Sequence, residues 1–344
     1  MRVLLVPYPG TFELVGGHMT QQIETANALA RAGIDARVGT IDDAVTDRYD
    51  VVHAFGDVRP LLQRGRPAGK LVISPIYFPR SIVLGPVYRC GDRSSMLKTR
   101  LRHRLSSLRR RGAWLRRVAD FNDMHDAWRK ADVIVVNSFA EGQLLERDGF
   151  SFPNVHVAYS GVAREAFDGD AATGRRILGV DEEPFVLSVA RVEPIKNQVS
   201  LARAIQKLPF RLVLVGVVLP GNERFFATVR RAAPQLFHLP HVDHREIRHV
   251  HAAATVHALP SWFETTGLSS LEALAAGRPI VVAGGLCVEE YFGGCATFCN
   301  PADIGSIRRA IARAAEGPFG CERKLAARFS WDGTAKTLVA AYTS

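Results

Sequence analysis

Short apolar runs that alternate with helical segments constrain the fold of this chain more than any other feature of its sequence. The runs Val3–Val6 and Val133–Val136 are continuously apolar, and Phe185–Val189 is apolar except at Ser188, as expected of parallel strands that are buried on both faces. Segments with helical spacing, such as Gln21–Arg31 and Gln198–Leu208, lie between such runs. The alternation predicts an α/β protein in which helices cover both faces of doubly wound parallel sheets.

The strand–helix pattern begins again after the glycine-containing stretch Ser160–Pro184, which we interpret as a weakly structured domain boundary. A chain of 344 residues also favours two domains, because single hydrophobic cores rarely exceed about 250–300 residues. We therefore predict Rossmann-like domains over residues 1–162 and 163–328, and a final helix over 329–344. Two such domains imply a cleft between them, and their sheets bind ligands at the carboxyl ends of the strands.

The most informative stretch is PSWFETTGLSSLEALAAGRP, at residues 260–279. A predicted strand ends at Pro260 and a helix begins near Gly267, so the helix N-terminus offers free N–H groups and a positive dipole end to a phosphate. Glu272 lies on the apolar side of this helix, one turn after Leu268. A carboxylate there needs a partner. The two alternatives are a structural bond to the backbone or an arginine, and hydrogen bonds from ligand hydroxyls.

Two other loops carry residues suited to an anionic ligand. Arg191 and Lys196 follow the first strand of the second half, and two cations flanking a loop suit a diphosphate, which Arg can bind bidentately. The GGHMTQ stretch at residues 16–21 lies between the first strand and the first helix, where Gly16 and Gly17 permit a tight turn near a ligand. It does not match GxGxxG, so it gives little support to a dinucleotide site.

In these residues the chain resembles the retaining family 4 glycosyltransferases, which have the GT-B fold. The spacing from Glu264 to Glu272 matches the E-x7-E motif of that family, within the expected LEALAAGRPIV context. Three further segments resemble its motifs, namely SVARVEPIKN, GGHMTQ and YSGV at residues 159–162. The segment RFSWDGTAKTLVAAY resembles its final helix, which crosses back to the N-terminal domain.

The resemblance implies a role for each matching residue. Glu272 would bind the donor ribose, Glu264 would contact the transferred sugar, and Arg191 and Lys196 would bind the diphosphate. The remaining donor-binding candidates are residues of the glycine loop and of the loop that enters the helix, namely Gly16, Gly17, Thr266, Gly267 and Leu268.

Two departures from the family pattern affect the sugar site. Thr265 and Thr266 replace the usual Gly-Phe pair, which changes the contacts around the sugar. The segment Ser74-Pro75-Ile76-Tyr77 stands where many members have a sugar-binding histidine, so no residue is assigned to that contact.

The predicted reaction moves a sugar from a nucleoside-diphosphate sugar to a glycan, a lipid-linked or a small-molecule acceptor. Arg191, Lys196 and the helix N-terminus are placed to stabilise negative charge on the departing diphosphate. The resemblance implies retention of the anomeric configuration. We expect neither a metal nor a cofactor besides the sugar nucleotide, because Asp42-Asp43, the nearest spelling of a DxD-like cluster, lies in the wrong domain.

Other functions share some of these features. A sugar-nucleotide epimerase or a phosphorylase could have the same two domains and similar phosphate loops. A catalytically inactive protein that binds sugar nucleotides could retain every motif. A nucleic-acid-binding protein would explain the net charge of +10, but it would not explain Glu272 on an apolar helix face.

A basic amphipathic segment at residues 97–118, LKTRLRHRLSSLRRRGAWLRRV, suggests a second anionic partner. Its leucines fall on one side of a helix and its Lys and Arg residues on the others. Either the leucines pack on the N-terminal domain, or the segment meets anionic lipid or a polyanionic acceptor. With no apolar run long enough to span a bilayer, we expect a cytoplasmic protein of envelope or polysaccharide synthesis, with the inner membrane face as an additional location.

The cysteines and histidines are interpreted as structural or surface residues. Five cysteines form no CxxC pair, which suggests reduced thiols in a cytosol. The six histidines between His238 and His257 fit a solvated loop and helix near the base better than a metal site. Cys287, Cys295 and Cys299 lie close together, but their spacing fits no usual zinc pattern. His103 and His125 are candidates for contact with an acceptor.

Overall fold

The computed structural model describes residues 1–7, 17–84 and 118–344. Gly16, His103 and nearly all of the basic segment at residues 97–118 therefore lie outside the described residues. The described chain divides into two compact units, between Gly161 and Val162 and again between Arg328 and Phe329.

The N-terminal unit contains one sheet of parallel strands in the order β2-β1-β3-β4-β5-β6. Its strands are β1 (Arg2–Val6), β2 (Asp35–Val38), β3 (Val51–Phe55), β4 (Lys70–Ser74), β5 (Val133–Val136) and β6 (Val155–Val157). Its helices are α1 (Gly17–Arg31), α2 (Ile41–Thr46), α3 (Arg59–Arg64), α4 (Arg80–Leu84), α5 (118–128), α6 (Phe139–Arg147) and α15 (Trp331–Thr343).

The C-terminal helix α15 completes this N-terminal unit. It packs against α1, where the Arg31 guanidinium donates to Asp332 Oδ1 at 2.7 Å. Tyr342 Oη lies 2.8 Å from Nδ1 of the fully buried His53 in β3. Gly161 packs so closely on the first residues of α15 that an added Cβ would lie 2.2 Å from the Trp331 nitrogen. The last helix is therefore an integral part of the first unit.

Two polar side chains in this unit, those of His125 and Glu141, are completely buried. His125, a candidate for contact with an acceptor, is fully buried among aromatic rings, and its ring lies 4.0 Å from that of Phe150. The acceptor assignment for His125 is therefore wrong. The Glu141 backbone N–H donates to Ser138 Oγ at 3.0 Å, and the Glu141 carboxylate accepts the backbone N–H groups of Tyr77 and Asn137, at 2.6 and 2.5 Å.

The C-terminal unit contains a second parallel sheet in the order β12-β11-β10-β7-β8-β9. Its strands are β7 (Phe185–Val189), β8 (Arg211–Val215), β9 (Phe237–Leu239), β10 (Val256–Leu259), β11 (Ile280–Ala283) and β12 (Thr297–Cys299). Its helices are α7 (Ala171–Leu178), α8 (Gln198–Ile205), α9 (Glu223–Ala232), α10 (Ile247–Ala253), α11 (Leu268–Ala275), α12 (Leu286–Phe292), α13 (Ile304–Ala314) and α14 (Glu322–Ala326).

The strand order of this second sheet is that of a Rossmann fold, since three strands run outward on each side of the junction between β7 and β10. Ligands bind such sheets at the carboxyl ends of the strands beside this topological switch point. The fold therefore directs attention to the loops that follow β7 and β10.

The boundary stretch Ser160–Pro184 is more ordered than the sequence suggested. It contains helix α7, whose Gly174 packs so tightly against α10 that an added Cβ would lie 1.9 Å from the His249 carbonyl oxygen. The glycines that we interpreted as signs of weak structure therefore include one that permits close helix packing.

The expectation of reduced thiols is wrong for two cysteines. Cys295 and Cys321 form a disulfide with their Cα atoms 5.9 Å apart, while Cys287 and Cys299 are buried and take no part in that bond. Among the described residues, no helix is long and apolar enough to cross a membrane.

Candidate active site

The loop after β7 carries Arg191 and Lys196 and is tied to its neighbours by backbone contacts. Val192 forms a bridge with Val218, which extends the pairing of β7 and β8 beyond their ends. Gly216 at the end of β8 permits this approach, because an added Cβ would lie 2.1 Å from the Ala190 carbonyl oxygen. A short 3₁₀ turn at Pro194–Lys196 then leads into α8.

Asn197 connects this loop to the loop after β10. Its backbone has a φ of 58°, a left-handed conformation that Asn tolerates better than most residues. Its buried side-chain amide donates to the carbonyl oxygens of Pro260 and Pro301, at 3.1 and 2.9 Å. The Trp262 N–H also donates to the Ile195 carbonyl at 2.8 Å. Sequence reasoning did not identify Asn197, although its position between Lys196 and the start of α8 is a typical signal for a special backbone conformation.

Lys196 and Glu264, which the sequence placed in separate roles, contact each other directly. Lys196 Nζ lies 2.7 Å from Glu264 Oε1, and Ser261 Oγ donates to the same oxygen at 2.7 Å. The side chains of Lys196 and Glu264 are 18% and 15% exposed, so the pair is largely shielded from solvent but can still be reached from the surface. Two loops from adjacent strands thus present a cation and a carboxylate at one point.

Arg191 has a partner on its own loop. Its Nε and its terminal nitrogen lie 3.1 and 3.0 Å from Glu193 Oε1, and its carbonyl accepts a hydrogen bond from Gln198 Nε2 at 2.8 Å. Glu193 therefore orients the guanidinium, and the Arg191 side chain as a whole is 27% exposed.

Helix α11 begins directly after the second loop, as predicted. Gly267 is its N-cap and has a φ of 76°, a conformation that disfavours any residue with a Cβ. The Phe292 ring would lie 3.4 Å from such a Cβ. A glycine N-cap places no side chain over the helix end, so its first N–H groups can meet an anion. Leu268 is half-buried and Thr266 is buried, which leaves the backbone as their means of contact.

Glu272 lies one turn further along α11 and is 17% exposed. The sequence suggested the backbone or an arginine as a structural partner for this carboxylate. The structure instead places the buried His251 beside it, with His251 Nε2 3.5 Å from Glu272 Oε2. Gly17, from the predicted glycine loop, is the first residue of α1 in the N-terminal unit.

The six histidines of this unit do not share one environment. His241 and His244 are exposed, as expected, whereas His251 and His257 are completely buried. The solvated interpretation is therefore wrong for the latter two. Within the described residues, no group of three or more His, Cys, Asp or Glu side chains could hold a metal ion.

The segment expected to replace the sugar-binding histidine follows β4 in the N-terminal unit. Ser74 Oγ is bonded to His53 Nε2 at 2.9 Å, and Tyr77 is fully buried. Ile76 has a positive φ of 50°, which is strained for a β-branched residue. Backbone strain of this kind is most frequent at functional sites of proteins.

Residues 171–334 match the family described as glycosyl transferases group 1. The C-terminal half of this chain is thus similar to a group 1 glycosyl transferase domain. The match includes the loop after β7, the loop after β10 and helix α11.

The curated relatives include a D-inositol 3-phosphate glycosyltransferase from Mycobacterium tuberculosis and one from Mycobacterium bovis. Each is 30% identical over 233 residues, covering 62% of this chain and 48% of the relative. The chain therefore spans about half the length of the curated relatives that it matches.

Solved structures show the same fold over the whole chain. Sucrose-phosphate synthase from Thermosynechococcus elongatus aligns with 100% of this chain and 98% of its own, at a TM-score of 0.75 and 18% identity. Anabaena HepE in complex with UDP-glucose aligns with 100% of this chain and 99% of its own, at a TM-score of 0.70 and 16% identity. The fold is GT-B, with one Rossmann-like sheet in each unit.

Proposed function

We propose that this protein is a retaining glycosyltransferase that transfers a sugar from a nucleoside-diphosphate sugar. The observation that carries the proposal is the Lys196–Glu264 contact of 2.7 Å at the switch point of the second sheet. It joins a cation suited to a diphosphate and a carboxylate suited to sugar hydroxyls, beside a helix N-terminus with a glycine cap.

Each residue has a role that follows from its contacts. Lys196 and Arg191 stabilise the negative charge that develops on the departing diphosphate, and α11 adds its dipole. The bonds from Lys196 and Ser261 to Glu264 both fall on Oε1, so Oε2 can accept hydrogen bonds from the donor sugar. Glu272 accepts hydrogen bonds from the ribose hydroxyls. The departing diphosphate itself accepts the proton of the acceptor hydroxyl, and Glu264 holds the sugar in place without attacking it.

The identity of the substrates rests on the relatives. UDP-glucose is the first donor to test, because HepE of similar fold is described with it. D-Inositol 3-phosphate is the first acceptor to test, because the mycobacterial relatives are named for it. Glycans and lipid-linked sugars follow, in a cytoplasmic setting of envelope or polysaccharide synthesis. The reaction needs no metal, since protein cations and a helix end provide the positive charge.

Donor turnover tests the proposal without a known acceptor. The protein is incubated with UDP-, GDP-, ADP- and TDP-sugars, and slow hydrolysis or transfer is followed by proton NMR. We expect one donor to be consumed and the first-formed product to have the anomeric configuration of that donor. Inversion would remove the retaining mechanism, and binding without turnover would favour an inactive sugar-nucleotide-binding protein.

A matched pair of lysine variants locates the chemistry. Lys196→Ala should lower kcat/KM for the donor by about one to two decades, the usual cost of removing a charge-assisted hydrogen bond. Lys207→Ala removes an exposed lysine of the same unit and should leave kcat/KM unchanged. Equal activity of the two variants would contradict the assignment of the diphosphate site.

A further inference from the structure

Two buried histidines lie against the inner side of α11, at the level of Glu272. His251 comes from α10 and His257 from β10, and both are 0% exposed. Their ring centroids are 5.2 Å apart and their planes meet at 62°. Buried polar side chains usually have hydrogen-bond partners, so two adjacent imidazoles behind a site residue need a reason to be there.

His251 has Glu272 as its polar neighbour. The distance from His251 Nε2 to Glu272 Oε2 is 3.5 Å, at the outer limit of hydrogen-bond length. Neither ring nitrogen of His251 has a well-aligned hydrogen bond to any of residues 1–7, 17–84 or 118–344. A small movement of the Glu272 side chain toward the ring would therefore satisfy a buried donor that is otherwise without a bond.

His257 secures His251 in this position. Its Nε2 lies 3.1 Å from Ser270 Oγ, and Ser270 is fully buried on α11, two residues before Glu272. Burial, and after it the neighbouring His251, lowers the pKa of His257 well below its ordinary value. His257 is therefore an uncharged ring, bonded to α11 at Ser270 and packed against His251.

We propose that His251 is a positioning residue for Glu272: it donates from Nε2 to Glu272 Oε2 and so directs the other carboxylate oxygen toward the hydroxyls of the donor ribose. This inference rests on the proposed function, in which Glu272 binds ribose. The partly exposed carboxylate is the end of the pair that a ligand can reach, whereas His251 is beyond the reach of any ligand. His251 thus acts through Glu272 and not on the substrate.

Analogues that lack the ribose hydroxyls test this role. Dissociation constants are measured by calorimetry for UDP and for 2′,3′-dideoxy-UDP, with GDP and its dideoxy analogue in parallel. Pyrophosphate serves as a probe of the phosphate loops alone. The variants are His251→Phe, which retains a ring but removes the donor, and His251→Gln, which restores a donor at similar reach. His244→Phe, at an exposed histidine of the same unit, is the matched control.

The wild type should bind the hydroxyl-bearing nucleotide at least about tenfold more tightly than its dideoxy analogue, as expected for hydrogen bonds to a carboxylate. His251→Phe should reduce this ratio to about threefold or less, with pyrophosphate affinity unchanged. His251→Gln should recover most of the ratio, and His244→Phe should match the wild type. A full ratio in His251→Phe would overturn the inference.

Other outcomes separate the inference from the function on which it rests. A wild type that binds none of these nucleotides would refute the proposed function and the inference with it. A wild type that binds nucleotide but does not distinguish the dideoxy analogue would refute the role of Glu272. Equal loss of pyrophosphate and nucleotide affinity in His251→Phe would mean general collapse of the site, and it would overturn a specific positioning role.

A measurement on the wild type covers the case in which His251→Phe does not fold. Nitrogen-15 NMR of the histidine rings reports which ring nitrogen carries the proton. We expect His251 to be protonated at Nε2 and its Nε2 shift to change when UDP binds, but much less with the dideoxy analogue. A His251 ring without a proton on Nε2 would refute the proposal.

Discussion

Glu141 provides a test of how burial sets the pH dependence of stability in the N-terminal unit. Its carboxyl group is completely buried, and burial raises its pKa to about 7 even though the N–H groups of Tyr77 and Asn137 favour the charged form. A shift from the ordinary 4.5 to about 7 corresponds to about 3 kcal/mol, at ~1.4 kcal/mol per decade. Because the folded pKa is raised, this stability is present below pH 4.5 and is lost as the pH rises through about 7.

His53 has the opposite effect over part of the same range. It is completely buried, and burial lowers its pKa from 6.5 to about 3. Its contribution is present above pH 6.5 and is lost as the pH falls toward 3. Between pH 4.5 and 6.5 the two residues therefore change stability in opposite directions, each by ~1.4 kcal/mol per pH unit, and their contributions cancel.

Glu141→Gln removes one of the two contributions and should expose the other. As the pH rises from 4.5 to 6.5, we expect the free energy of unfolding of the variant to increase by about 3 kcal/mol, whereas these two residues leave that of the wild type unchanged. At every pH it also loses one accepted backbone bond, at a cost of about 1–3 kcal/mol. Glu146→Gln, at an exposed position of the same helix, should follow the wild-type profile.

Hydrogen–deuterium exchange of peptides from β3, β4 and β5 is the suitable assay, because it reports the N-terminal unit by itself and needs no two-state unfolding of the whole chain. The free energy of opening is measured for the three proteins at several pH values between 4.5 and 6.5. Parallel profiles for Glu141→Gln and the wild type would refute the reasoning, since they would mean that Glu141 titrates normally in the folded protein.

Three other predictions are direct. Gly216→Ala should lower stability by more than about 2 kcal/mol and weaken donor binding, because the added Cβ would lie 2.1 Å from a backbone oxygen. Gly142→Ala, where the nearest atom to the added Cβ is 3.8 Å away, should instead stabilise α6 by about 0.5–1 kcal/mol. Calorimetric melting compares the two variants with the wild type. Donor turnover should survive EDTA, whereas loss of activity that magnesium or manganese restores would show that the phosphate site is misassigned. If the basic segment at residues 97–118 meets anionic lipid, co-sedimentation should show salt-sensitive binding to vesicles rich in anionic lipid, with each engaged basic residue contributing about 1 kcal/mol. Unaltered binding after residues 109–111 are changed to serine would refute a membrane role for this segment.

The sequence by itself determined the elements and the place of the candidate site. Buried parallel strands appear as continuous apolar runs, and the helix start at Gly267 is a local signal, so neither depends on distant residues. The predicted strands Val133–Val136 and Phe185–Val189 agree with the structure at both ends. The short strands β2, β9 and β12 were not predicted, because each contains polar residues within its three or four positions and so forms no continuous apolar run.

Only the tertiary structure decided which side chains meet. Lys196 and Glu264 are 68 residues apart in sequence, and they come into contact because two strands at the switch point end side by side. The burial of His251 and His257 against α11, and the bond between Cys295 and Cys321, depend on how separate elements pack. Local sequence patterns encode the face that a residue occupies on its own element, but the neighbour across that face is set by strand order, register and close packing, which involve the whole domain at once.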